Sequence, residues 1–417
     1  MKRLICILFA ALLLCACTVN ARPTSPAAEL SEAPEPLPDF PIPAITGYTG
    51  FSDVLSAKLL DGTQNRNLSP ISVYLALAMT AEGAKGDTQT DMLKLLGCGT
   101  VEELRSICGA MLEALSIDTE DSSLEIADSI WMADRNGALT FREDYLKALA
   151  DTYRSEANAV DFTNAETGRQ IADWIRVHTH DKITLSPEDF RFDPETVAVL
   201  INTIYLKDAW RDEFYEGATA SGTFDGLSGA LTVDYMHRYD SDSAIMQGDG
   251  FLRYSLPLLR VGRMTFVLPD EGTPLSDLLG TPEKLDALLH SGESVEAHVD
   301  VKVPKFRFED QIELNDVLIA LGLARAFDPN RADFSGMCVD KDDIFISKVL
   351  QGSFIGVDEK GVEAAAYTMV AMVDGMAMPR ELPEIDFHLT RPFLYAIESY
   401  DGTVLFIGTV TAPTNAE

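Results

Sequence analysis

One stretch of the chain decides its fold: Glu359-Lys360-Gly361-Val362-Glu363-Ala364-Ala365-Ala366-Tyr367-Thr368. An apolar, strand-like run precedes it. A Met-rich segment with prolines, residues 369–384, follows it, and a second strand-like pattern begins at Phe387. This setting predicts an exposed loop between two strands. The small apolar residues at the start of the loop are nevertheless sized for burial.

An alternating pattern gives the stretch two unlike faces. Small or apolar side chains occupy the first face: Val362, Ala364, Ala366, Thr368, Val370 and Met372. The charge and the phenol occupy the second face: Gly361, Glu363, Ala365, Tyr367, Met369 and Ala371. Such alternation is typical of a half-buried strand. A short exposed helix is the alternative, because residues 363–366 favour helix.

Helical patterns dominate the first half of the chain, and strand patterns dominate the second. Helices are predicted at 70–79 (with Ser69 as cap), 88–96, 141–152, 166–178, 282–289 and 311–321. Strands are predicted at 124–132, 197–206, 222–224, 231–236, 243–247, 252–257, 264–268, 298–308, 344–357, 394–399 and 404–410. The fold class is therefore α+β in one large domain.

The N-terminus is typical of a targeting segment. Two basic residues precede an apolar run at 4–14 that is shorter than a membrane span, as in a secretory signal. Residues 14–17 resemble a bacterial lipobox, which implies that residues 1–16 are removed and that Cys17 is lipidated. Ordinary cleavage near Ala16 or Ala21 is the alternative. The Pro-rich residues 17–45 predict an extended tether. We therefore expect a secreted, extracellular protein that is lipid-anchored to the bacterial cell envelope or cell surface.

Composition excludes several classes of partner. The net charge of −33 argues against nucleic acid, heparin-like polyanions and anionic lipid surfaces, so membrane contact is expected only through the lipid. Cys98, Cys108 and Cys338 are too few for a disulfide scaffold, although Cys98 and Cys108 could pair. Residues 178–180 (His-Thr-His) lack a third metal ligand nearby in the sequence, so a solvated helix end is the better interpretation.

No enzyme class is supported. The chain has no Gly-rich phosphate loop and no Gly-x-Ser-x-Gly elbow, so it offers no candidate nucleophile, and no catalytic residue, metal or cofactor is predicted.

Seven short segments, taken in order and at their spacing, resemble the serpin family over residues 46–413. They are 67–70 with Ser72, 202–207 with Trp210, 303–306, 314–322 with 326–327, 333–336, 358–366 and 391–394. The resemblance implies three β-sheets, eight to nine helices and an exposed reactive-centre loop, residues 359–386.

The resemblance also implies a mechanism. A serpin offers its loop to a protease, and cleavage leaves the protease bound to the loop as an acyl-enzyme ester. The N-terminal half of the loop then enters the large sheet as a new strand and distorts the protease before the ester is hydrolysed. The implied function is suicide inhibition of a serine-type endopeptidase, or of a cysteine-type one, by a monomeric inhibitor.

Insertion makes demands on the hinge, the segment of the loop that enters the sheet first. Side chains that enter between packed strands must be small, and the first face of the stretch meets this demand. Val362 stands where the family mostly has Thr or Ser, and Gly361 permits a bend. The predicted hinge comprises Glu359, Gly361, Val362, Glu363, Ala364, Ala365, Ala366 and Thr368.

The resemblance assigns two further groups of residues. Ser69, Ser72 and Asn202 match a polar cluster that controls opening of the sheet, and Gln351 stands where many serpins carry His. Gln both donates and accepts, so the network can survive, but a pH response of His would be lost. Trp210 matches the residue at which the loop first enters the sheet.

The bait bond, which the target protease would cleave, is located by counting residues from either end of the loop, and the two counts give different positions. Counting forward from Glu359 by family spacing ends near Gly375, whereas counting back from Phe387 ends near Met378, so the loop is about three residues longer than is usual in the family. Met376-Ala377 is the preferred bond, and it suits an elastase-, chymotrypsin- or subtilisin-like protease better than a trypsin-like one. The alternatives are bonds after Val373, Gly375 or Met378.

Two functions of different classes remain. The small first face favours a suicide inhibitor. Val362, Tyr367 and the long loop leave open a non-inhibitory serpin that acts as a surface binding module, carrier or chaperone.

Overall fold

The computed structural model describes residues 46–414, except 120, 135, 191, 194, 340–342 and 364–380. The predicted signal peptide, the tether with Cys17, and most of the predicted reactive-centre loop lie outside the described residues. Within the described residues, no helix is both long and apolar enough to cross a lipid bilayer.

The described part of the chain contains eight α-helices. They are α1 (Thr46–Leu59), α2 (Pro70–Gly83), α3 (Gly86–Leu95), α4 (Val101–Ala114), α5 (Glu143–Ala148), α6 (Ala165–His178), α7 (Pro282–His290) and α8 (Asn315–Leu318). Two π-helical turns, Leu149–Tyr153 and Ile319–Leu323, continue α5 and α8. Three 3₁₀ turns lie at Pro187–Asp189, Glu216–Ala218 and Leu275–Leu278.

The same part of the chain contains sixteen strands. They are β1 (Arg66–Leu68), β2 (Ile117–Asp118), β3 (Ser123–Ala133), β4 (Glu156–Val160), β5 (Ala198–Ala209), β6 (Ala220–Gly226), β7 (Gly229–Gly248), β8 (Phe251–Pro257), β9 (Gly262–Pro269), β10 (Glu293–Pro304), β11 (Phe306–Glu313), β12 (Lys348–Val357), β13 (Gly361–Val362), β14 (Glu384–His388), β15 (Phe393–Ser399) and β16 (Val404–Val410).

The strands form two hydrogen-bonded sheets. The nine-stranded sheet has the order β1-β16-β15-β9-β8-β7-β10-β14, with β6 paired to β7. The seven-stranded sheet has the order β11-β12-β13-β5-β3-β2, with β4 paired to β3. The 20-residue strand β7 joins the two halves of the larger sheet, so two of the three sheets that the resemblance implies are continuous here. The mixture of sheets and helices confirms the α+β class.

The two faces of the seven-stranded sheet meet different partners. Helix α2, all fourteen residues of which are buried, packs on one face, which we call the inner face. A helix that is apolar on every side is stable only in such a surrounded position. Helix α6 covers the opposite, outer face and packs Ile171 and Ile175 against Val199 and Ile201 of β5. The sheet is thus enclosed between α2 and α6.

Several predicted boundaries are wrong. The predicted helix 311–321 is strand β11 as far as Glu313, because Gln311 to Glu313 alternate in burial and pair with β12. The predicted strand 298–308 is two strands, which belong to different sheets and are divided at Lys305.

Other differences concern lengths. The predicted strands 231–236 and 243–247 are one strand, β7, and the predicted strand 344–357 begins only at Lys348. The sequence patterns did not predict α1, α4, β1, β2 or β4. Helix α4 had a recognisable signal, since the Thr100 side chain accepts from the Glu103 backbone N–H and Glu103 accepts from Gly99.

The pairing of Cys98 with Cys108, which the sequence left open, is absent from the structure. Both thiols are buried and form no disulfide. Cys98 Sγ instead lies 3.5 Å from the Tyr74 hydroxyl. Cys338 is 2% exposed and lies against Met132, as a small apolar residue would.

Candidate functional site

The hinge begins inside the seven-stranded sheet. Strand β12 ends at Val357, the chain turns over residues 358–360, and β13 returns between β12 and β5. In β13, Val362 lies opposite both Asp208 of β5 and Val357 of β12. Val362 is 2% exposed and belongs to the inner core. The first two residues of the predicted hinge strand therefore already occupy the sheet.

The chain leaves the sheet at Glu363. Its backbone N–H donates to the Gly356 carbonyl at 2.9 Å, and its φ of 48° lies in the left-handed region, which is uncommon for a residue other than glycine. The carboxylate pairs with Lys182, a residue that follows α6. Burial raises the pKa of Glu363, with Lys182 working to lower it, and Oε2 is buried without a hydrogen-bond partner among the described residues. The hinge therefore turns outward at a strained, incompletely satisfied residue.

Below the hinge the sheet is closed by one seam, which we define as the parallel pairing of Lys348–Ser353 of β12 with Val199–Ile204 of β5. Above the seam, the ends of the two strands border an outward-facing cleft. Phe354 and Gly356 line it from β12, Tyr205 and Lys207 line it from β5, and Glu363 lies in the same cleft. The strands therefore diverge from the seam toward the hinge, where β13 lies between them.

A central polar cluster crosses the seam on the inner face. The Gln351 amide donates to Asn202 Oδ1 at 3.0 Å and to the Ser69 carbonyl at 2.9 Å. Gln351 Oε1 accepts from the Ser69 backbone N–H at 3.2 Å. The Asn202 amide donates to Asp128 Oδ1 of β3 at 2.6 Å. The cluster thus connects α2, β12, β5 and β3, and its Gln351–Asn202 bond spans the two strands that must part if the sheet opens.

The structure gives the two predicted serines different positions. Ser69 precedes α2, but its hydroxyl does not cap the helix as predicted and donates instead to the Leu405 carbonyl at 2.7 Å. The Ser72 hydroxyl is buried and has no hydrogen-bond partner among the described residues. Ser69 joins the central polar cluster through its backbone, and Ser72 does not join it by a hydrogen bond.

Asp128 is a member of the cluster that the sequence analysis missed. It is 3% exposed, and burial raises its pKa to about 7, although the hydrogen bond from Asn202 works to lower it. The signal was available, because Leu124, Asp128 and Ile130 occupy alternate positions of a predicted strand. An acid at a position where the pattern demands an apolar side chain indicates a buried polar contact.

Two anchors hold the turn between β12 and β13. Trp210 is 2% exposed, and its indole N–H donates to the Asp358 carbonyl at 2.9 Å while its backbone N–H donates to the Lys360 carbonyl at 2.8 Å. Glu359 accepts from Thr219 at 2.7 Å and pairs with Lys305 at 2.8 Å. Burial works to raise the pKa of Glu359, but these two partners hold it below its usual value. The contacts of Thr219 and Lys305 with Glu359 were not predicted, because both residues come from segments that are far from the hinge in the sequence.

The His178–His180 pair receives a third group from β3. Glu125 Oε1 lies 2.9 Å from His178 Nδ1, and Oε2 lies 3.0 Å from His180 Nε2. Hydrogen bonds from the two imidazoles hold the pKa of Glu125 below its usual value, against the effect of burial. The helix end is therefore bound to the sheet by the carboxylate and is not merely solvated as predicted.

Part of the predicted site lies outside the described residues. These residues are Ala364, Ala365, Ala366 and Thr368 of the hinge, and Val373, Gly375, Met376, Ala377 and Met378 of the candidate bait bonds. The described part of the site is a sheet in which the first two residues of the hinge strand are already paired. Below them lie the closed seam and the polar cluster that crosses it.

Comparison with known proteins identifies the class to which this arrangement belongs. Residues 48–413 match the family model described as Serpin (serine protease inhibitor). An uncharacterized serpin-like protein from Thermococcus kodakarensis is 31% identical over 386 residues, which cover 89% of this chain and 86% of that protein. Putative serpin-Z12 from Oryza sativa subsp. japonica is 33% identical over 380 residues, which cover 84% and 86%.

Solved structures agree with this match. The native state of tengpin, a thermophilic serpin, is similar with a TM-score of 0.77 at 29% identity, covering 88% of this chain and 94% of that one. Serpin48 from the insect Tenebrio molitor gives a TM-score of 0.76 at 27% identity, covering 90% and 99%. The chain belongs to the serpin family, whose members are generally protease inhibitors and not enzymes.

Proposed function

We propose that this chain inhibits serine-type endopeptidases by cleavage of its loop, trapping of the acyl-enzyme and insertion of the loop between β12 and β5. One observation carries the proposal: Gly361 and Val362 already pair as a strand in the position that the inserted loop would extend. Cysteine-type proteases, which also form an acyl-enzyme, are the second target class.

The register of β13 supports insertion along the whole seam. Because β13 is antiparallel to both neighbours, each later loop residue would pair with the preceding residue of β12 and of β5. The hydrogen bond from Glu363 to Gly356 already follows this register. Continued in this register, residue 371 would lie opposite Val199 of β5 and Lys348 of β12. Those two residues are themselves partners in the closed seam. The two sides of the sheet therefore specify the same end point for the inserted strand.

The same register fixes which side chains would enter the core. Val362 points to the inner face and Glu363 to the outer cleft. Because side chains alternate along a strand, Ala364, Ala366 and Thr368 would follow Val362 inward. Thr368 would then lie between Asn202 and Gln351, where a hydroxyl can replace the hydrogen bond that their separation breaks.

Insertion would also move an attached protease a long way. From Glu363 to residue 371 the new strand would extend about 30 Å at roughly 3.3 Å per residue. The acyl-enzyme ester on Met376, our proposed bait residue, would be carried along the sheet by a similar distance. Met before Ala suits elastase-, chymotrypsin- or subtilisin-like enzymes. The sequence also supports our proposal that the inhibitor is secreted and lipid-anchored, and so meets extracellular proteases.

The test is to mix the purified chain with elastase-, chymotrypsin-, subtilisin- and trypsin-like proteases and to examine the products by denaturing electrophoresis. We expect a covalent complex that survives denaturation, and mass spectrometry of the released peptide identifies the bond. Clean cleavage with no complex for any protease would contradict inhibition and favour the binding-module, carrier or chaperone alternative.

A matched pair of variants tests the insertion step. Ala364→Arg places a long charged side chain on the predicted inner face, and Ala365→Arg places the same side chain on the outer face. We expect Ala364→Arg to be cleaved with at least a tenfold loss of complex, and Ala365→Arg to lose far less. Equal trapping by the two variants would mean that the proposed register is incorrect.

A further inference from the structure

A second cluster of chemically active side chains lies outside the seven-stranded sheet, on β7, β10 and β14 of the nine-stranded sheet. Asp300, Asp386 and His388 each offer a ligand atom, and these atoms lie within 4.8 Å of one another. Among the described residues this is the one group of three or more His, Cys or acidic side chains with such spacing. The Glu125–His178–His180 group does not meet the same criterion.

The strand register explains why these side chains converge. Asp300 of β10 lies opposite Asp386 of β14, and His388 follows two residues later on the same face of β14. His388 Nε2 is 2.9 Å from Asp300 Oδ2. His237 of β7 contacts the other oxygen of Asp300. One carboxylate is therefore shared by imidazoles from the strands on either side of it.

We propose that Asp300, Asp386 and His388 bind a divalent transition metal, of which Zn²⁺ fits best. Zn²⁺ prefers four ligands from imidazole and carboxylate groups at about 2.0–2.2 Å, which puts neighbouring ligand atoms roughly 3.3 Å apart. Asp300 and His388 need to separate by only a few tenths of an ångström from their present contact. Ca²⁺ and Mg²⁺ prefer oxygen ligands to imidazole and therefore fit this set poorly.

His237 completes the arrangement in one of two ways. It can supply the fourth ligand, or it can keep its contact with the second oxygen of Asp300 and so orient that ligand. In either case His388 must present a lone pair at Nε2, which requires that its proton reside on Nδ1.

The charges around the site favour a cation. Asp300 and Asp386 bring two carboxylates within reach of each other, and Glu384 lies on the same face of β14. Lys302, which lies opposite both His237 and His388, is the positive group on this face of β10. Three acids against one lysine leave the patch negative when the imidazoles are neutral, so a divalent ion relieves repulsion between the carboxylates.

The site would fasten the strand that follows the loop. Among the described strands, β14 is at the edge of its sheet and is paired only with β10, over Glu384–His388. A metal held by β10 and β14 cross-links this edge. If the loop inserts as proposed above, insertion of an uncut loop would pull on β14, and the metal would oppose that loss of active inhibitor. This consequence rests on the proposed function, whereas the metal site does not.

The experiment measures Zn²⁺ binding to the full chain after treatment with EDTA, by calorimetric titration near neutral pH, with no protease present. We expect one equivalent of Zn²⁺ to bind, with a higher melting temperature, and Ca²⁺ and Mg²⁺ to have little effect. Co²⁺ in place of Zn²⁺ should give the intense visible absorption of a four-coordinate site. His388→Gln and Asp386→Asn should each weaken binding at least tenfold.

Asp386 is exposed, so its replacement by Asn tests the site without disturbing the core. The matched controls are His290→Gln, on a distant helix, and the double variant His178→Gln with His180→Gln, and these should bind Zn²⁺ like the unaltered chain. Weak binding of many equivalents that His388→Gln leaves unchanged would overturn the proposal, because it would reflect only the acidic surface. Loss of binding in the His178/His180 variant alone would overturn it by placing the metal elsewhere.

Discussion

Asp128 and Asp208 are two buried carboxylates in the same sheet that differ in the number of their hydrogen bonds. Asp208 accepts from the Ser122 hydroxyl at 2.6 Å and from the backbone N–H groups of Arg260 and Val261 at 3.0 and 2.7 Å. The structure gives Asp128 one donor, the Asn202 amide. Burial raises the pKa of both groups, and that of Asp128 reaches about 7. The negative charge is therefore far less well compensated at Asp128 than at Asp208.

Asp128→Asn should stabilise the protein at alkaline pH. Because the pKa of Asp128 is raised from 3.8 in the unfolded chain to about 7 when folded, its contribution to stability is lost as the pH rises from about 4 to 7. Asn has the same shape, stays neutral and still accepts from Asn202. We expect the free energy of unfolding at pH 8 to exceed that of the unaltered chain by roughly 2–4 kcal/mol, and the difference to shrink toward pH 4. Urea unfolding across this pH range measures it.

Asp208→Asn is the matched control. Its carboxylate oxygens accept from three donors, and an amide nitrogen cannot accept, so this variant should lose roughly 1–3 kcal/mol at pH 8. Stabilisation by both variants would indicate a general effect of the net charge of −33 instead of a local one. A pH-independent effect of Asp128→Asn would show that Asp128 does not titrate in this range.

The short strand β13 is the element whose structure agrees best with the alternating sequence pattern. The alternation that begins at Val362 predicted a half-buried strand, and Val362 lies buried between β12 and β5 while Glu363 turns outward. What the pattern could not predict is that this strand stops after two residues. The stop depends on Lys182 and on the backbone at Glu363, and a one-dimensional pattern carries no information about such tertiary contacts.

Val362→Asp should expel β13 from the sheet. A carboxylate is strongly disfavoured at a position that is 2% exposed and that lies between Val357 and the buried carboxylate of Asp208, because burial and charge repulsion both oppose its ionised form. Trp210 donates two hydrogen bonds to the turn that precedes β13, so release of the hinge should expose its indole. We expect a red shift of tryptophan fluorescence with retained secondary structure, together with loss of any covalent complex with protease.

Val362→Thr is the control for this change. Thr has nearly the same shape and is the residue that the family often carries at this position, so the fluorescence should stay unchanged. The chain has three tryptophans, and of the other two Trp174 lies in α6 and Trp131 belongs to the apolar cluster under α6, where both variants leave the surroundings intact. An unshifted spectrum for Val362→Asp would mean that β13 tolerates the charge and is not tightly held.

Across the whole molecule, the elements that the sequence predicted correctly are those defined by a pattern of neighbouring residues along the chain. The buried helix α2, the paired strands β15 and β16 and the alternation after Gly361 are patterns of this kind. The pairing of Lys305 with Glu359 and the contacts of Asp300 with His237 and His388 join distant segments, and only the folded structure brings these residues together. The polar sites of this protein therefore lie mainly beyond the reach of pattern analysis.

If the loop inserts as proposed, the seam between β12 and β5 parts and the seven-stranded sheet is extended between them, and this gives the last prediction. A metalloprotease forms no acyl-enzyme and cannot be trapped, so cutting the loop with one allows insertion to be observed alone. When the loop inserts, β12 and β5 lose their hydrogen bonds to each other, and residues 363–371 form hydrogen bonds with both strands instead. At roughly 1 kcal/mol per added hydrogen bond, this gives on the order of 10 kcal/mol, or roughly 20 °C in melting temperature for a chain of this size. Thermal unfolding of cut and intact protein measures the shift. Val362→Asp, cut at the same bond, should gain much less, and an unaltered chain that melts at the same temperature before and after cutting would show that the seam between β12 and β5 does not open.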